Sequence, residues 1–142
     1  MSAYHCNHVH LVFGTKNRLH NIAPVIQPKL WAYMAGIARN YGMHVDAING
    51  MDDHAHVVVG IPPVLSVAKA IQVIKANSSR WVKRQGVARF EWQEEYGVFG
   101  VSKSHLAAVI AYVNSQPEHH KKRDFAGEFK ALLEKHGIKP RT

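Results

Sequence analysis

Cysteine is nearly absent from this chain: Cys6 is the only one in 142 residues. No intramolecular disulfide is possible, a cysteine-based zinc site is excluded, and a reducing compartment fits. Acidic residues are scarce. Ten Asp and Glu face 18 Lys and Arg, for a formal net charge of +8 and a sequence pI of about 9.8. A small domain this basic suits a polyanionic partner, and a merely soluble surface is the plainer alternative. Long apolar runs are missing too: none approaches the roughly 18 residues of a membrane span. The N-terminus carries His5, Asn7 and His8 where a signal peptide would need an apolar core. These absences lead to the expectation of a soluble, cytoplasmic protein with no membrane partner.

What remains is an ordinary globular balance, 46% hydrophobic and 20% charged, at a length that suits one domain with a real core. No internal repeat, low-complexity segment or interdomain linker is evident. His8 to Phe13 reads as a strand ended by Gly14, followed by the basic loop Lys16-Asn17-Arg18. Leu30, Tyr33, Met34, Ile37 and Tyr41 recur at helical spacing, with Pro28 suited to the first turn and Gly42 to the end. Met43 to Ile48 predicts a second strand, and Asn49-Gly50 signals a hairpin turn. A third strand runs from His54 to Ile61 and is stopped by Pro62-Pro63.

Ser66 can cap a second helix reaching about Arg84. Short strands are expected near Ala88–Trp92 and Tyr96–Val101, where Trp92, Tyr96 and Phe99 read as core. Ser104 can cap a third helix from Leu106 to about Gln116, and Pro117 marks its boundary. A last helix covers Asp124 to Lys135. The order predicts an α+β, ferredoxin-like βαββαβ fold. In it an antiparallel sheet carries both helices on one face and leaves the other available. Within residues 1–142, a core of about 5–103 is followed by helices over about 104–138 that carry Tyr112.

Histidine is plentiful, with 11 in the chain, so a lone one signifies little. His54-Ala55-His56 is the informative pair. In a strand both imidazoles point one way while Ala55 points into the core. Histidines on half-exposed strands are common, and a second such pair, His8-Val9-His10, is present. The fold order makes the first and third strands neighbours, which brings His8 or His10 toward the same site. Structural or DNA-contacting roles suit those two better than ligation. Tyr112 and Gln116 lie four residues apart on one predicted helix face. Either alone reads as an ordinary helix residue. Together with His54 and His56, however, they make a set in which two imidazoles and an amide oxygen can hold a divalent metal beside a phenol.

The chain resembles the small single-tyrosine transposases of the HUH superfamily, the insertion-sequence and REP-associated type. The resemblance rests on HLVFGTKNR at residues 10–18, GMDDHAHVVVGIPP at 50–63, WQEEYGVFGVSKS at 92–104 and YVNSQPEHHKKRDFAGEFKALLEKHGI at 112–138. It implies that His54, His56 and Gln116 bind Mg²⁺ or Mn²⁺ and that Tyr112 attacks single-stranded DNA, keeping the 5′ phosphate. It further implies hairpin-forming element ends as substrate. A homodimer is implied as well, in which the tyrosine helix completes the partner's site.

The chemistry suits these residues. A phenol has a pKa of about 10, so only about one in a thousand is ionised at pH 7. A divalent ion withdraws charge from the phosphate and aligns it for in-line attack. Imidazole nitrogen favours Mn²⁺ in affinity, while abundance favours Mg²⁺. Neutral ligands leave the ion its full charge but bind it weakly until DNA completes its shell. Covalent capture also conserves the ester bond for rejoining, which hydrolysis does not. Lys16, Arg18, Lys75, Arg80, Lys83 and Arg84 are candidates for phosphate contact, each equally readable as solvated surface. Two other readings stand beside this one: a basic module that binds structured nucleic acid without cutting it, and a metal-dependent nuclease that uses water.

Overall fold

The computed structural model describes residues 3–119 and 123–140. Four strands form one antiparallel sheet: β1 (His8–Gly14), β2 (His44–Gly50), β3 (His54–Gly60) and β4 (Gly97–Val101), in the order β2-β3-β1-β4. Two long helices, α1 (Gln27–Asn40) and α2 (Val67–Arg84), connect them in the expected βαββαβ sequence. Three more helices follow: α3 (Leu106–Asn114), the short α4 (Gln116–His119) and α5 (Phe125–Lys135). Among the described residues no helix is long and apolar enough to cross a membrane.

Strand alternation divides the side chains between two layers. Val9, Leu11 and Phe13 of β1 and Ala55, Val57 and Val59 of β3 face α1 and α2 in the main core. The intervening residues face the other way. There Val58 packs under Leu106 and Val113 of α3, and Val12 and Phe99 pack under Phe125 of α5. The second face is therefore covered rather than left available, and its covering helices belong to the site. In sequence only α1 and α2 are strand connections, so the packing of the later helices had no order rule to reveal it.

Three local expectations are corrected. Asn49-Gly50 does not turn; both pair within the ladder, opposite His56 and Ala55, and the reversal occurs over residues 51–53. A Cβ on Gly50 would lie 2.2 Å from the His54 carbonyl oxygen, so glycine serves close approach there. Ala88–Trp92 is not a strand. Only Trp92 bridges, to Thr15, while Phe90 and Trp92 are buried and contact each other edge-on. Their alternation with exposed residues imitates a strand period. Ser104 is not a helix cap: it lies in a 3₁₀ turn, where Ser102 and His105 are its partners. Ser66, by contrast, accepts from the Lys69 amide and caps α2.

Candidate active site

β3 brings His54 and His56 side by side on the α3/α5 face, both with no exposed surface. Each ring is held from behind. His54 Nδ1 lies 2.7 Å from Asp53 Oδ1, and His56 Nδ1 lies 2.7 Å from His10 Nε2. Backing of this kind fixes ring orientation and directs the opposite nitrogens forward. Burial, followed by the neighbouring His56, lowers the His10 pKa to about 3, so His10 is a neutral support. Phe125 stacks on His54 with centroids 4.2 Å apart and planes 10° from parallel. Gly14 sits opposite His54 in the ladder, and a Cβ there would come within 2.6 Å of the Phe125 ring. The glycine thus makes the room through which α5 reaches the sheet.

Gln116 and Tyr112 arrive from the helices above. The predicted single helix breaks at Ser115, so Tyr112 lies in the last turn of α3 and Gln116 opens α4. The break does not separate them. Gln116 is fully buried, with Oε1 3.0 Å from His54 Nε2. Asn49 of β2 donates its amide to the Val113 carbonyl at 3.1 Å, which ties the end of α3 to the sheet beside Tyr112.

A residue that sequence reasoning missed lies at the centre. Glu128 of α5 is buried, with Oε1 3.0 Å from His56 Nε2 and 3.4 Å from His54 Nε2. Its Oε2 accepts from Gln116 Nε2 at 3.2 Å and from the Tyr112 hydroxyl. Its trace in the sequence is a carboxylate within the apolar stripe Phe125, Phe129, Leu132, at spacing that turns it inward with them. Burial alone would raise its pKa. The His56 hydrogen bond and charge, the Tyr112 hydroxyl and His54 together hold it well below the usual carboxylate range. Burial, then the hydrogen bond and charge of Glu128, push the Tyr112 phenol up. Asp53, which orients His54, was likewise missed, although it immediately precedes that histidine.

The donor atoms fit a divalent ion. His54, His56 and Glu128 can each direct one ligand atom into a common space, all within 4.8 Å of one another. Separations of 3.0–3.4 Å are what adjacent ligands show around an ion with bonds of about 2.1 Å. With its Nδ1 turned to Asp53, His54 presents Nε2 to two oxygens, from Gln116 and Glu128. Nitrogen and oxygen donors converging in this way can hold a cation between them.

The basic candidates lie elsewhere. Lys16 pairs with Glu91 at 2.9 Å. The Lys75 ammonium donates to the Gln93 and Glu94 carbonyls and sits 5.3 Å from the centre of the Tyr96 ring. Tyr96 is 42% exposed, against its reading as core, while Trp92 and Phe99 are buried. Arg80, which donates to Asn77, lies with Lys83 and Arg84 on α2, across the sheet from Tyr112. Arg18 lines an open cleft of about 410 Å³ together with Gly14, Tyr96 and Phe125, one ring away from His54. Within this chain Tyr112 and Gln116 meet the histidines of their own sheet.

Comparison with known proteins bears on the family and the fold. A family described as IS200-like transposases matches residues 3–116. A candidate transposase from Deinococcus radiodurans R1 is similar in structure, with a TM-score of 0.63 at 22% identity, covering 82% of this chain and 95% of its own. A REP-associated tyrosine transposase bound to a REP hairpin is similar with a TM-score of 0.61 at 15% identity, covering 84% and 74%. No curated protein matches.

Proposed function

We propose that this chain, which belongs to the IS200-like transposase family, cuts and rejoins single-stranded DNA through Tyr112. One observation carries the proposal. The Tyr112 hydroxyl shares the Glu128 carboxylate with Nε2 of His56, so nucleophile and ligand set meet at one point. In the reaction the phenolic oxygen forms a bond to phosphorus and loses its proton. The bond from phosphorus to the 3′ oxygen breaks, and that oxygen takes up a proton. The 5′ phosphate stays on Tyr112 as a diester until a second 3′-hydroxyl displaces it. One ester replaces another, so strand rejoining needs no separate energy source.

His54, His56 and Gln116 would hold Mg²⁺ or Mn²⁺, which when bound neutralises phosphate charge and fixes its orientation. Asp53 and His10 hold the two imidazoles in register. Phe125 over His54 excludes water from that side. DNA hairpins at element ends are the proposed substrate, supported by the hairpin-bound neighbour. Arg18, on the cleft beside Phe125, is the basic candidate placed closest to the reacting groups. Lys75 lies at the edge of the same cleft, against Gln93 and Tyr96, and shares a neighbouring hollow with Lys16 and Lys83, while Arg80 and Arg84 lie on α2. A second copy of the chain is a further proposed partner.

The test is a denaturing gel of labelled single-stranded DNA from the flanks of the gene, with Mn²⁺ or Mg²⁺. Wild type should give a slow, protease-sensitive adduct that Tyr112→Phe does not. Cleavage persisting in Tyr112→Phe without adduct would indicate a hydrolytic nuclease. Binding without cutting by either protein would indicate a recognition module.

A further inference from the structure

We propose that the Glu128 carboxylate is an internal stand-in for the scissile phosphate. It holds the divalent ion and the Tyr112 hydroxyl before DNA arrives, and gives up both when phosphate takes its place. The inference rests on the tyrosine-transfer reading above and adds a residue that lies outside the matched stretch 3–116.

The geometry carries it. A diester poised for attack needs one non-bridging oxygen among the metal ligands and its phosphorus in front of the phenol. Glu128 already meets both conditions. Its Oε1 faces His56 Nε2 at 3.0 Å and His54 Nε2 at 3.4 Å, while its Oε2 accepts from Tyr112. A planar O–C–O group therefore spans the positions that O–P–O must span. Both groups are anions, and two anions cannot share one buried space without severe repulsion. Nor can Tyr112 attack phosphorus while its hydroxyl is bound to a carboxylate standing where phosphorus must stand.

α5 delivers this carboxylate from a firm base. Phe125 stacks on His54, and Phe125 and Phe129 pack with Val12 and Phe99 of the sheet. Exchange asks only that the side chain leave, because the helix is held by its apolar neighbours.

The exchange revises an expectation drawn from the sequence. Two histidines and a glutamine are neutral and bind an ion weakly without DNA. With Glu128 the set gains one negative charge, so the ion is held before substrate arrives. Phosphate then replaces a ligand that is already present, and its binding strengthens the ion's hold very little. Removing the carboxylate should restore strong mutual dependence between ion and phosphate.

The experiment titrates Mn²⁺ into the full chain, followed by electron paramagnetic resonance, with and without inorganic phosphate. Wild type is compared with Glu128→Gln and Glu128→Ala; the glutamine variant preserves shape and guards against disruption of α5. Without phosphate, both variants should bind Mn²⁺ on the order of tenfold more weakly. Adding phosphate should recover most of that loss in the variants and change wild type little. Phosphorus relaxation by bound Mn²⁺ should accordingly be strong in Glu128→Ala and weak in wild type. Equal Mn²⁺ affinity in all three proteins would overturn the proposal. So would weaker binding that phosphate cannot restore, since Glu128 would then be a permanent ligand. Either result leaves the adduct assay with Tyr112→Phe to judge the transfer reading on its own. Failure of wild type to bind Mn²⁺ at all would remove both.

Discussion

The two faces of one sheet differ in almost every respect. On the α1/α2 side, β1 and β3 contribute only aliphatic and aromatic residues to the main core. On the α3/α5 side, the same strands contribute His10, His54 and His56, which meet Gln116, Tyr112 and Glu128. Each histidine of the 54/56 pair is flanked in sequence by a core residue, Ala55 between them and Val57 beyond. Stability and chemistry are thereby interleaved at single-residue spacing, with the pleat keeping them apart. The apolar face makes the strand rigid, and that rigidity holds two imidazoles to a common point.

The two faces can be separated experimentally. Tyr112→Phe should have the largest functional effect: no adduct on a denaturing gel and cleavage reduced about 10⁴-fold or more, the scale of nucleophile removal. Thermal unfolding should change little, because the core face is untouched. Leu11→Ala is the converse. Leu11 is fully buried on the α1/α2 side, and chemical denaturation should show a loss of about 2–5 kcal/mol. Cleavage per folded molecule should stay near wild type below the transition.

Gly14→Ala attacks the junction of the two faces. A Cβ 2.6 Å from Phe125 must displace the ring that stacks on His54. Cleavage should fall about tenfold or more, with Mn²⁺ affinity falling alongside it in calorimetry. Asn49→Ala removes one hydrogen bond to the Val113 carbonyl. The expected stability loss is about 1 kcal/mol. The cleavage rate should drop more than that figure alone implies, because Tyr112 loses its tether. Smallest of all is the signal expected from mixed subunits. If the contact of Tyr112 with its own chain's histidines is the working one, Tyr112→Phe mixed with His56→Ala should recover almost no cleavage. Clear recovery under confirmed subunit exchange would show helix α3 serving a partner's histidines.

The fold was legible because its elements obey local rules. Ser66 caps, Gly42 and Gly137 occupy left-handed positions, and apolar spacing separates helix from strand. Phe90 and Trp92 defeated the same rules, because two buried aromatics on a loop reproduce the period of a strand. Four site residues were legible from their pairing: His54 with His56 on a strand, Tyr112 with Gln116 near a helix end. Glu128 was not, since the chemistry of a carboxylate inside an apolar stripe depends on what that stripe covers. The covering of the second face is a long-range packing choice that no short window of sequence contains. The basic residues show the opposite failing. Lys16 and Lys75 look alike in composition, yet one is paired with Glu91 and the other anchors a loop.

The order in which the site's parts occur along the chain sets a timetable for synthesis. All four strands and both histidines precede residue 102, whereas Tyr112, Gln116 and Glu128 follow. A ribosome adding about 5–20 residues per second releases the sheet first, and domains fold from the N-terminal side as they emerge. The strands that carry both histidines therefore emerge before Tyr112 and Gln116, and these before Glu128. On the transfer reading proposed above, the sheet half of the site thus emerges from the ribosome before its nucleophile, and the nucleophile before the carboxylate that meets it.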